Sequence, residues 1–87
     1  MIINVEYYKL KDSKHMNDGH CIEEGQLLLK TPVEEDGFIL FETYDKSFIK
    51  KIFWAKENEV DFMRKVEEEW SEKRIEEMNN DLLKNLV

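Results

Sequence analysis

From Asn58 to Val87 the chain runs thirty residues without a glycine or a proline. No other feature limits its fold as much, because an uninterrupted stretch rich in Glu, Lys, Met and Leu favours a helix. Asn58 suits an N-cap, and Glu59 and Asp61 suit the positive end of a helix dipole. The pattern therefore predicts one long helix over 57–87. At about 100° per residue, Phe62, Met63, Val66 and Trp70 form one apolar stripe, and Ile75, Met78, Leu82 and Leu86 form a second roughly 150° away. One straight helix cannot bury both stripes on one sheet. The helix is expected to bend or break across Ser71-Glu72-Lys73-Arg74. The second stripe, Ile75, Met78, Leu82 and Leu86, becomes a candidate oligomer interface, and a homodimer is expected.

The first 56 residues read as strands. Ile3, Val5 and Tyr7 alternate with more polar neighbours, the period of a half-buried strand. Asp12 to Gly19 is rich in turn formers and reads as an exposed loop. Leu27-Leu28-Leu29 is apolar without alternation and is expected to stop at Thr31-Pro32, because proline lacks the ladder N–H. Glu34-Glu35-Asp36-Gly37 then turns the chain into Phe38-Ile39-Leu40-Phe41, which pairs back on the preceding strand. Ser47 to Lys56 fits either a strand or a helical face behind a Ser47 cap. Its Phe, Ile and Trp content and the four-residue link Tyr44 to Ser47 favour a hairpin strand. The expected fold is α+β in a single domain over 1–87: a small antiparallel sheet of three to four strands packed by one long, bent C-terminal helix.

Charge narrows the partners. The chain has 20 acidic and 13 basic residues, net −7, and residues 57–87 hold ten acids against five bases. The average field repels nucleic-acid backbones and anionic lipid and favours a basic protein surface. On the expected helix, Asp61, Glu68, Glu69, Glu72 and Glu76 share one side. With Trp70 as an aromatic anchor they form the candidate protein-binding surface. The plainer reading is a solvated face softened by pairs such as Glu69 with Lys73.

Catalytic and metal motifs are lacking. His15, His20 and Cys21, with Asp12 and Asp18 nearby, have ligand chemistry but no zinc spacing, so neither metal nor cofactor is expected. A single cysteine cannot form an internal disulfide, and no apolar run approaches a membrane span, which together suit a cytoplasmic protein. No phosphate-binding glycine loop or nucleophile motif occurs. Lys46, Lys50, Lys51 and Lys56 interleave with Phe48, Phe53 and Trp54. Lys50, Lys51, Trp54 and Lys56 thus form an alternative single-stranded nucleic-acid surface, against the opposing net charge. The sequence is read as a non-enzymatic regulator or inhibitor. The alternatives are a nucleic-acid-binding regulator and a small enzyme with its site across a dimer. The Lys, Glu, Asn and Ile richness suits a phage or mobile-element accessory protein.

Overall fold

The structure, a computed structural model, describes residues 1–16 and 19–85. Its main body is a five-stranded antiparallel sheet in the order β6–β5–β4–β1–β7, followed by one helix. The strands are β1 (Ile2–Leu10), β4 (Leu28–Glu35), β5 (Phe38–Tyr44), β6 (Lys50–Lys56) and β7 (Val60–Glu69). Two short strands, β2 (Lys14–His15) and β3 (Cys21–Ile22), form a separate hairpin between β1 and β4. The helix, α1, spans Glu72–Asn85. The α+β class is as expected. The sheet, however, has five strands rather than three to four, and the long bent helix is replaced by a strand and a 14-residue helix.

The correction falls on residues 60–69. Val60 and Phe62, and again Val66 and Trp70, stand at even spacing, a period of two overlaid on the helical one. A register shift at Met63 turns the first pair to one face of the sheet and the second pair to the other. Pairing decides between the two periods. β7 lies antiparallel along β1 from Ile2↔Glu69 to Leu10↔Val60, so every residue of β1 gains a partner. Helix propensity of a few tenths of a kcal/mol per residue cannot compete with a ladder of that length. Asn58 therefore caps nothing and sits in a 3-10 turn, Glu57–Glu59, that carries the chain from one edge of the sheet to the other. Ser71 is the true helix cap, its Oγ accepting from the Arg74 N–H at 3.1 Å.

The hairpin readings agree with the structure. Asp36 (φ 51°) and Gly37 (φ 82°) form the two-residue link between β4 and β5, matching the Asp-Gly preference of such turns. Ser47 to Lys56 resolves as a strand over Lys50–Lys56, paired with β5 from Phe38↔Lys56 to Tyr44↔Lys50. Pro32 does not stop its strand. It lies inside β4, at a register shift between Lys30 and Glu34, where Thr31 replaces the missing donor. The Thr31 hydroxyl donates to the Leu40 carbonyl at 2.7 Å and accepts from the Val33 N–H at 3.3 Å.

Both faces of the sheet are covered. On one, Leu10, Leu28, Phe41, Phe53 and Val60 pack with Ile22 of the small hairpin. This cluster includes residues of both edge strands, Phe53 of β6 and Val60 of β7. On the other, Val5, Leu29 and Leu40 pack under Trp70, Met78 and Leu82. The stripe Ile75, Met78 and Leu82 thus turns inward onto its own sheet rather than out to a twin, and Leu86 lies outside the described residues.

One polar contact fixes the helix on that face. Glu42, in the middle of β5, is 1% exposed, and the Arg74 guanidinium grips both its carboxylate oxygens while stacking 4.2 Å above the Trp70 ring. Burial alone would lower the Arg74 pKa, but the hydrogen bonds and charge of Glu42 outweigh it and hold it above its ordinary value. Arg74→Met should therefore cost about 3–5 kcal/mol in urea unfolding, because it strands a buried carboxylate. Arg74→Met with Glu42→Leu should recover most of that loss, and a single variant as stable as wild type would contradict this assignment.

Candidate functional site: a forked cleft beneath the helix

The sheet opens in its middle. β1 pairs with β4 only at Tyr7↔Leu29 and Tyr8↔Leu28, whereas β1 residues Ile2 to Glu6 have ladder partners on β7 alone. In an antiparallel strand every second residue turns its N–H and C=O to the same side. Alternate residues of this run therefore present backbone donors and acceptors to the fork. The opposite wall is the stretch of β4 at Lys30, Thr31 and Pro32, which has no ladder partner on β1.

Helix α1 roofs the fork and leaves a cleft of about 400 Å³. Val5 and Leu29 line the inner part, and Ile75, Met78 and Leu82 come down from the helix. Trp70 lines it as well, while Asn4, Glu6, Lys30 and Asn79 supply polar groups. An apolar cavity edged by a few polar groups and bordered by open backbone suits an extended peptide segment, which needs both side-chain pockets and main-chain partners.

A hydrogen-bonded set beside the cleft fixes Trp70. Glu68 accepts from the Tyr7 hydroxyl at 2.6 Å and from the Trp70 indole N–H at 3.0 Å. These two bonds, Tyr7 first, hold the Glu68 carboxyl below its ordinary pKa. Burial, followed by the bond to Glu68, pushes the Tyr7 hydroxyl up to about 12.

The residues read from the sequence as binding groups are dispersed. Asp61, Glu68 and Glu69 lie on β7, while Glu72 and Glu76 lie on α1, so the single helical ridge does not exist. Asp61 stands opposite Lys9 on β1, and Glu69 takes the Met1 amino group at 2.7 Å. Trp70, expected as an exposed anchor, is 8% exposed. Glu72 and Glu76 remain exposed, and on a helix they fall in one row with Asn79 of the cleft, at i, i+4 and i+7.

The lysine and aromatic segment is engaged elsewhere. Lys50 binds Asp81 of the helix, Lys56 lies 5.4 Å above the Phe38 ring, and Trp54 packs against the cluster beneath α1. Lys51 pairs across to Thr43 on β5. The Trp54 ring is therefore committed to packing rather than open to a nucleic-acid base. Of the ligand-type residues, His15 faces Cys21 across β2 and β3, and Asp18 lies outside the described residues. Among the described residues no three His, Cys, Asp or Glu side chains come together to hold a metal. Among the described residues no helix is long and apolar enough to cross a membrane.

Sequence reading missed Glu42 and Arg74, which are 32 positions apart, and missed the fork itself. Its one local sign is a Thr-Pro inside a β-favouring run. Compared with known families, with curated proteins and with solved structures, the chain shows no significant match.

The Glu68 set predicts a pH dependence of known sign. A carboxylate held low in the fold contributes stability that is complete above its unfolded pKa, about 4.3, and is lost as pH falls through the lower folded value. Urea midpoints should fall below that pH in wild type, with a smaller fall in Glu68→Gln. Parallel curves would dissociate Glu68 from the acid loss.

Proposed function

We propose that the chain is a small acidic binding protein rather than an enzyme, and that it takes an extended segment of a basic protein partner into the fork as an added strand. The observation that carries this reading is the run Ile2 to Glu6, unpaired towards β4 along the side of an apolar cleft. Backbone pairing would supply affinity, and pockets among Val5, Leu29 and Met78 would select alternate apolar side chains. Net charge −7 and the exposed Glu72 and Glu76, in the helical row of Asn79, favour Lys or Arg flanking the inserted strand. A regulator or inhibitor acts in this way when the captured segment is one its partner needs.

Selection of displayed random peptides on the immobilised protein tests the reading. Enriched peptides should alternate apolar residues and carry Lys or Arg beside them. Asn79→Trp, an exposed position filled to block the cleft, should abolish their binding while leaving the thermal midpoint unchanged. Glu72→Lys with Glu76→Lys should weaken it about tenfold at low salt and less at high salt. Peptides that bind Asn79→Trp as well as wild type would place the site elsewhere.

A further inference from the structure

β7 is an edge of the sheet, paired with β1 along its length and with no strand on its other side among the described residues. An open edge is a template for another strand unless something blocks it. The opposite edge, β6, carries Lys50, Lys51 and Lys56, so antiparallel self-pairing there sets cation against cation. β7 differs. It reads Arg64-Lys65-Val66-Glu67-Glu68, two cations, one apolar residue and two anions, a run complementary to itself when reversed. A register shift at Met63 bounds this run on one side, Phe62 and Met63 are exposed beyond it, and Lys65 and Glu67 within the run are also exposed.

We propose that β7 pairs antiparallel with β7 of a second copy of this chain, about a two-fold axis through Val66, joining two five-stranded sheets into one of ten strands. Lys65 of each copy then stands opposite Glu67 of the other, and Arg64 opposite Glu68. Opposed residues in an antiparallel pair project from the same face, and an axis perpendicular to the sheet keeps equivalent residues on equivalent faces. Only even shifts of register are therefore allowed. A shift of two in either direction brings Lys65 against Lys65 or Glu67 against Glu67, so the charges select one register.

The space beside the edge is open to a second copy. From Trp70 the helix heads away from β7, held to β5 by Arg74 with Glu42 and to β6 by Asp81 with Lys50. Glu68 already lies beside Tyr7 and Trp70, and Arg64 lies 5.4 Å from the Tyr7 ring centroid, so both charges of that pair are oriented within the monomer. The perpendicular axis also places both helices on one face of the joined sheet. This interface involves none of the inward-facing residues Ile75, Met78 and Leu82, and it stands independently of what the fork binds.

Sedimentation of the whole chain with charge reversals at exposed positions tests the register. Wild type should form a closed dimer. Lys65→Glu and Glu67→Lys should each weaken self-association about tenfold or more, since each sets like charges opposite one another twice. An equimolar mixture of the two variants should restore the dimer as a heterodimer, because both ion pairs are then rebuilt, one as in wild type and one with its signs reversed. A monomeric wild type would overturn the proposal, as would assembly that grows beyond the dimer or a mixture that associates no better than its components. Circular dichroism of each variant separates loss of pairing from loss of folding.

Discussion

The bidentate contact of Arg74 with Glu42 holds the two halves of this molecule in their relation to each other. A carboxylate at the centre of a sheet is costly to bury and is tolerated there only with a cation and good hydrogen-bond geometry. Glu42 is covered on the helix-facing side of β5, so its partner must come from the covering layer. Arg74, in the first turn of α1, is that partner, and its guanidinium also covers the Trp70 ring. The start of the helix is thereby set over β5, and Lys50 with Asp81 holds its second half towards β6. Ile75, Met78 and Leu82 then have no orientation open to them except inward.

The fork follows from a second constraint, the proline in β4. A strand between two neighbours cannot lose a backbone donor without a substitute. Thr31 supplies one towards β5, keeping that ladder closed across the register shift. Nothing equivalent joins β4 to the first part of β1. The sheet therefore stays continuous on the β5 side and opens on the β1 side, under the roof that Arg74 positions. An open backbone edge within a sheet, set beside apolar groups and partly sheltered by a helix, is a more specific feature than an exposed edge strand, because the side chains that line it restrict what can enter.

Local signals in the sequence were reliable where structure is made locally. The Asp36-Gly37 turn, the alternation of Ile3, Val5 and Tyr7, and the return of Lys50 to Lys56 onto β5 were all legible. Residues 60–69 were misread because two periods coexist there, and the choice between them depends on β1, some sixty residues earlier. That error then spread to function. Glu68 and Trp70 were assigned to an exposed surface when they belong to a hydrogen-bonded set with Tyr7, and Met78 and Leu82 were assigned to a partner when they belong to the core. Glu72 and Glu76 keep a place in the binding reading for a reason the sequence did not contain, namely the position of Asn79 on the cleft.

The open fork is the central claim, and amide hydrogen exchange of the free protein tests it most directly. If β1 is paired on one side only, protection along Ile2 to Glu6 must alternate, with amides turned towards β7 exchanging slowly and those turned towards the fork exchanging faster. Protection at Tyr7 and Tyr8, where β1 has partners on both sides, should not alternate in this way. Uniformly slow exchange from Ile2 to Tyr8 would mean that the ladder to β4 is closed, and the cleft would then be a packing irregularity rather than a site.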